Sequence, residues 1–279
     1  MTKPSVAIVT DSIADIPSEQ VKTLKISVVP AILIIEGQSY IDGEEISREE
    51  FYHRMPTMSE PATTAIPSSI AFEKEYRRLL DSGYERVLSI HVASQLSGMI
   101  NAASQAAQAF NERVRIFDSK SLTMGLGFQV MEAAEASLRG QSFDAVLDVA
   151  RSARDRVRLV ALIDSLEYLK RSGRISWLRA SLGDLLQMKL LVNVIDGVVG
   201  RLGIARTHRK GIIQLLSHVK SWGSLERIAV LHSAIPDEAS AFADKVRYLC
   251  ANPPLIVDVT TLIGTHVGPK AIGLAGLCR

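Results

Sequence analysis

The chain lacks the features that announce the commonest chemistries. It has two cysteines, Cys250 and Cys278. They form no metal-ligand spacing, and in a reducing compartment they are expected as free thiols. The six histidines are scattered, and none falls in H-E-x-x-H or a related metal spacing, so no metal is expected. No G-x-G-x-x-G follows the first strand and there is no P-loop lysine motif, which removes the usual nucleotide signatures. Ser97 sits in Leu-Ser-Gly, not in the G-x-S-x-G elbow of α/β-hydrolases. A net charge of +2 provides no basic stripe for nucleic acid. No stretch approaches the roughly 18 uncharged apolar residues of a transmembrane segment. The apolar run in residues 1–11 is too short for a signal peptide, so a cytoplasmic location is expected.

What is present is a regular alternation of strands and helices. At 279 residues, 47% of them hydrophobic, the chain can bury one large core or two ordinary ones. Residues 6–9 read as the first strand and end in Thr10-Asp11-Ser12. Residues 27–35 read as a strand, with Pro30 placing it at an edge or bulge. Turn signals at Glu36-Gly37 and Asp42-Gly43 mark a small β excursion over about 25–60. Ser47 opens a helix, and 56–67 is an irregular polar loop. Phe72, Tyr76, Leu79 and Leu80 then share one face of the next helix. Strands over 113–117 and 159–163 again end in Asp118-Ser119 and Asp164-Ser165. In alternating α/β chains such exits line the carboxyl edge of a sheet, where ligands bind; each Asp or Ser also makes an ordinary helix cap. Asp196-Gly197 joins two strands as a hairpin, so the second half turns antiparallel. Two lobes are expected, 4–155 and 156–278, with the ligand in the cleft between them.

The stretch around which the chain is organised is 87–110. An apolar, β-branched strand stops, turns through Ser94-Gln95-Leu96-Ser97-Gly98 and enters an Ala-rich helix. The first N–H groups of that helix and its positive dipole end suit an anion. Ser97 either caps the helix or offers its hydroxyl to a ligand. The row Ala102, Ala103, Ala106, Ala107 and Ala109 either packs on a sheet or admits something close to the backbone.

Several motifs fall in one order along the chain. They are Thr10-Asp11-Ser12, Thr64 through Pro67-Ser68, Ser89-Ile90-His91 with Leu96-Ser97-Gly98, and Asp118-Ser119-Lys120-Ser121 with Met124-Gly125-Leu126-Gly127. Leu166-Glu167-Tyr168-Leu169-Lys170 with Gly173-Arg174-Ile175 follows, and then Ile263-Gly264-Thr265-His266-Val267-Gly268-Pro269. Together they resemble the DegV family of fatty-acid-binding proteins, over nearly the whole chain.

The resemblance implies a single DegV-type unit over 4–278. Its N-terminal lobe is a mostly parallel α/β/α structure and its C-terminal lobe is α+β with an antiparallel sheet. It implies a buried long-chain fatty acid whose carboxylate is presented to a separate ATP-dependent fatty acid kinase subunit. The acyl phosphate formed would feed phospholipid synthesis. No cofactor and no catalytic residue of its own are implied. Carried over motif by motif, Thr64 and Ser97 bind the carboxylate, with Gly98 beside them and His266 near the head group. Arg174, Arg206 and His266 would engage the kinase, with Arg174 inside a basic cluster that includes Lys170, Arg171 and Arg179. Trp177, Leu185, Leu186, Met188 and the strand 190–195 are candidates to line the tail. Two departures stand out: Ala65 and Ile66 replace the usual Ser-Gln after Thr64, and Met99 and Ile100 replace the usual Thr-Tyr after Gly98. Two other readings remain open here, a lipid-responsive sensor and a serine hydrolase using Ser97 with His266.

Overall fold

The computed structural model describes residues 4–173 and 188–279. Its elements run β1 (Val6–Asp11), α1 (Ser18–Thr23), β2 (Ser27–Val29), β3 (Ile32–Ile35), β4 (Gln38–Ile41), α2 (Arg48–Arg54), β5 (Thr63–Ala65), α3 (Ser69–Asp81), β6 (Arg86–His91), α4 (Met99–Ala107) and β7 (Val114–Asp118). Then come α5 (Thr123–Leu138), α6 (Phe143–Arg156), β8 (Val157–Ile163), α7 (Leu166–Arg171), β9 (Lys189–Ile195), β10 (Val198–Ala205), α8 (His208–Lys220), β11 (Leu225–His232), α9 (Pro236–Val246), β12 (Leu255–Asp258), α10 (Thr261–Val267) and β13 (Ile272–Cys278). Backbone proximity divides the chain into two compact units, residues 1–31 with 66–157 and residues 32–65 with 158–279.

The first unit holds a four-stranded sheet in the order β2-β1-β6-β7. Every pairing in it is parallel, as the alternation of strands and helices predicts. β1 and β6 are buried along nearly their whole length, which explains their continuous apolar runs. The predicted face of α3 is the buried one: Phe72, Tyr76, Leu79 and Leu80. The Ala-rich α4 turns Met99, Ala102, Ala103 and Ala106 inward and packs against α3 and β7, so its small residues serve close packing. α5 is buried on almost every side. Gly127 makes that possible, because a Cβ there would lie 2.7 Å from the Ala14 carbonyl oxygen. From β1 the chain first adds β2 on one side and later β6 on the other. The carboxyl ends of β1 and β6 therefore flank the point where the strand order reverses, the usual ligand crevice of an open parallel sheet.

The second unit contains a six-stranded sheet, β10-β9-β8-β13-β11-β12, and a three-stranded sheet, β4-β3-β5. The larger sheet is mixed, not antiparallel as expected. β8, β9 and β10 form an antiparallel run. β11 and β12 are parallel, because α9 carries the chain over between them. The Asp196-Gly197 turn is present, with both residues at positive φ (51° and 82°), matching the twist of a two-residue hairpin.

The strand expected over 27–35 is broken at Pro30-Ala31. Proline has no N–H to give to a ladder. β2 accordingly stays with β1, while β3 pairs with β4 and β5 in the other unit. The excursion expected within the N-terminal lobe thus groups, over 32–65, with the C-terminal residues. Specific bonds hold it there. Thr261 Oγ1 donates to Asp42 at 2.7 Å, Tyr52 Oη donates to the Val259 carbonyl at 3.2 Å, and the Arg48 guanidinium donates to the Asp258 carbonyl.

Candidate functional site

The loop at residues 92–98 leaves β6 at the switch point of the first sheet, and both neighbouring strands pin it. Asp11, at the end of β1, accepts the Val92 N–H at 3.1 Å on Oδ2 and the Ile13 N–H at 3.1 Å on Oδ1. On the β7 side, Ala93 N donates to the Ser121 carbonyl at 2.9 Å. Asp118 accepts the Ser94 hydroxyl at 2.6 Å, and the Ser94 N–H lies 3.4 Å from each of its oxygens. Inside the loop the Ala93 carbonyl accepts from Leu96 N at 2.9 Å and Ser97 N at 3.2 Å. The strand-end aspartates expected to line a ligand edge are therefore spent on holding backbone.

Ser97 is half-buried, one residue before the position that caps α4. Gly98 is the capping residue and makes no side-chain cap. Ser97 supplies the bond instead, its Oγ accepting the Met99 N–H at 3.2 Å. A hydroxyl has one hydrogen to give as well as lone pairs to fill. The Met99 bond uses a lone pair and leaves the O–H to donate. Both readings of Ser97 thus meet in one geometry: it serves the helix as acceptor and keeps its donor. The N–H groups of Gly98 and Ile100 are not used by this network. Ile66 lies against Gly98, where a Cβ would stand 3.3 Å from Ile66 Cδ1. The apolar replacement noted at position 66 therefore borders the mouth of α4.

Beneath the loop runs a buried polar chain that sequence reasoning missed. Asp11 Oδ2 faces His91 Nδ1 at 2.9 Å, His91 Nε2 faces Ser89 Oγ at 2.7 Å, and Ser89 Oγ faces Tyr76 Oη at 2.9 Å. All four side chains are wholly buried. One assignment satisfies every group: Tyr76 donates to Ser89, Ser89 to His91, and His91 through Nδ1–H to Asp11. Burial pushes the Tyr76 hydroxyl well above the ordinary phenol range, which keeps it a donor. Asp11, His91 and Ser89 have the connectivity of a hydrolase triad. Ser89 is sealed from solvent and already accepts from Tyr76, so this arrangement presents no nucleophile. Ser89 and His91 at i and i+2 on one face of an otherwise apolar strand were the available signal.

The remaining residues named from the sequence lie in the second unit. Thr64 is half-buried in β5, paired in register with Leu33. His266 stands in the last turn of α10, also half-buried, and α10 packs against β5. The second unit thus brings the elements of Thr64 and His266 together, while Ser97 and Gly98 belong to the first. Arg206 is exposed just before α8. Arg174, Trp177, Arg179, Leu185 and Leu186 lie outside the described residues. Among the described residues, Ser165, Glu167, Lys170 and Arg171 line a cavity of about 480 Å³. Arg171 pairs with Glu167, which neutralises part of the expected basic cluster.

Asp164 also builds structure. Its carboxylate meets Lys189 Nζ at 2.8 Å and His208 Nδ1 at 2.8 Å, and His208 Nε2 reaches Glu238 at 2.8 Å. Burial pushes the Asp164 carboxyl upward, but the Lys189 and His208 hydrogen bonds outweigh it and hold the group below its ordinary range. Among the described residues no group of three or more His, Cys, Asp or Glu could hold a metal ion. Among them, too, no helix is long and apolar enough to cross a membrane.

A parallel sheet with a pinned switch-point loop, followed in the same chain by a mixed six-stranded sheet, defines a two-unit α/β protein. The family model described as an uncharacterised protein of the DegV family matches residues 5–277, and this chain belongs to that family. A DegV domain-containing protein of Deinococcus radiodurans is 33% identical over 275 residues, covering 97% of this chain and 98% of the other. A DegV family protein from Thermus thermophilus, described by its fatty acid binding, superposes with a TM-score of 0.91 at 31% identity, covering 99% of this chain and 100% of that one. DegV of Bacillus subtilis, described as a fatty acid binding protein, gives 0.88 at 27% identity, covering 99% and 100%.

Proposed function

We propose that this protein binds one long-chain fatty acid and presents its carboxylate to a separate ATP-dependent fatty acid kinase subunit. The observation that carries the binding half is the Ser97 hydroxyl. It is fixed at a sheet switch point and keeps its hydrogen for an acceptor, in a chain whose relatives from Thermus thermophilus and Bacillus subtilis are described as fatty-acid-binding. The carboxylate is assigned to the hydroxyls of Thr64 and Ser97 and to the backbone at Gly98, with His266 near it. Such a site grips an acid without a salt bridge over its oxygens, which leaves them open to phosphorylation.

The affinity comes from the tail. About fifteen methylenes at roughly 0.8 kcal/mol each amount to about 12 kcal/mol on burial. Association and ordering take back several kcal/mol. The head-group bonds set register and select an acid over other amphiphiles. In this reading the protein is a binding subunit, and the phosphoryl transfer that leads to phospholipid synthesis is performed by the partner. Arg206, exposed just before α8, and Arg174 are assigned to docking that partner.

Replacing both hydroxyls, Ser97→Ala with Thr64→Val, tests the head-group assignment. Palmitate binding is expected to weaken by at least about a hundredfold, since hydrogen bonds to a charged group are worth roughly 1.5–3 kcal/mol each. Unchanged affinity in a folded variant removes these residues from the site. Mixing the protein with the kinase subunit and ATP tests the second half: acyl phosphate should form only when both proteins are present.

A further inference from the structure

We propose that Asp118 is a positioning residue for the Ser97 hydroxyl, acting through Ser94 at the opposite end of the same loop. The inference rests on the fatty-acid reading above. Asp118 ends β7, the strand beside the one that carries the loop. Its carboxylate accepts the Ser94 hydroxyl at 2.6 Å, lies 3.4 Å from the Ser94 N–H, and accepts the Lys120 N–H at 2.9 Å. The turn from Ala93 to Ser97 is closed by its own backbone bonds, Leu96 N and Ser97 N both donating to the Ala93 carbonyl. Fixing Ser94 therefore fixes the turn as a body and sets where the Ser97 O–H points.

The charge of Asp118 argues against direct contact with the ligand. An aspartate repels an acid, and its oxygens already face donors from Ser94 and Lys120. What it contributes is order. A loop held in one conformation before binding does not lose that freedom on binding. The other flank is held by Asp11, whose carboxylate is tied into the core through His91. Asp118 is half-buried and can be replaced without opening that buried chain.

The two roles an aspartate could play here have opposite signs. As a mere negative charge near an acid, its removal in Asp118→Asn or Asp118→Ala tightens binding. As a positioning residue, its removal weakens binding, only for ligands that use Ser97, and only while Ser97 is present. The experiment measures palmitate and hexadecanol affinity by titration calorimetry on full-length wild type, Asp118→Ala, Ser97→Ala and the double variant. Asp118→Ala is expected to lose about tenfold for palmitate and about threefold or less for hexadecanol, whose neutral hydroxyl accepts a weaker bond from Ser97 than a carboxylate does. In the Ser97→Ala background the same change is expected to cost less than about twofold. An equal loss for both ligands, a full loss without Ser97, or tighter palmitate binding each overturns the proposal. Should Asp118→Ala fail to fold, Ser94→Ala removes the 2.6 Å contact and is read by the same criteria. Wild type that binds no palmitate refutes the fatty-acid reading itself; wild type that binds it, with no effect of Asp118→Ala, refutes only the positioning role.

Discussion

The buried chain from Tyr76 to Asp11 makes a prediction whose sign is unusual. Ser89→Ala removes its middle. The Tyr76 O–H is then a buried donor with no acceptor, and His91 Nε2 is a buried lone pair with no donor. Leaving a buried polar group unsatisfied costs about 1–3 kcal/mol, so with two such groups Ser89→Ala should destabilise by roughly 2–6 kcal/mol. Tyr76→Phe alone removes one neutral bond and leaves Ser89 still donating to His91, at about 1 kcal/mol. In the double variant the orphaned phenol is gone. Ser89→Ala with Tyr76→Phe should therefore be more stable than Ser89→Ala by about 1 kcal/mol, instead of less stable by that amount. Urea denaturation of the four proteins measures it, with unchanged slopes as the check that the same surface is exposed. Additive destabilisation would refute the Tyr76–Ser89 hydrogen bond as the link between the two side chains.

Other expectations follow from single contacts. Gly211→Ala would put a Cβ 2.5 Å from Leu162 Cδ1, which is wholly buried, so overpacking should cost about 1–3 kcal/mol in the same denaturation assay. An unchanged midpoint would mean that α8 and β8 can part freely. Asp164 has a depressed carboxyl in the folded protein, so it stabilises the fold above its unfolded value of about 3.9 and loses that contribution as pH falls through the lower folded value. Asp164→Asn should accordingly be less stable than wild type at pH 7, with the gap closing below about pH 4. A gap that stays constant from pH 7 to pH 3 contradicts the Lys189 and His208 pairing as its source.

Much of the first unit was legible because its signals are local. Apolar runs mark β1 and β6, the i, i+4 spacing marks the face of α3, and a strand–turn–helix marks the loop at Ser97. The turn at Asp196-Gly197 was equally plain. What escaped is long-range or runs against propensity. β13 sits inside the larger sheet, yet its sequence, Ile272-Gly273-Leu274-Ala275-Gly276-Leu277-Cys278, carries two glycines and reads poorly as a strand. The structure explains the first of them: a Cβ at Gly273 would lie 2.8 Å from the Val160 carbonyl oxygen, so the neighbouring strand demands glycine there. β5 is three residues long and gains its strand character only from pairing with β3. The regrouping of 32–65 depends on partners such as Asp42 and Thr261, more than two hundred residues apart, which no window can see.

Around Ser97 the strand, turn and helix were readable and the bonds that hold the turn were not. The Asp-Ser exits pointed to the carboxyl edge of the first sheet, where Asp11 and Asp118 end their strands. That Asp11 and Asp118 would grip the Ser97 loop, and not a ligand, depends on bonds from Asp11 to Val92 and from Asp118 to Ser94. Those pairs are set by strand order, which composition and spacing do not encode.

The most direct test of the account is the lipid content of the protein itself. Full-length protein purified from a bacterial host without added lipid is denatured, extracted and examined by mass spectrometry. A long-chain fatty acid near one equivalent per chain is the expected result, and a sharply reduced yield from Ser97→Ala with Thr64→Val would tie it to the proposed head-group site. Protein free of fatty acid, which also fails to take up palmitate when offered it, would contradict the account.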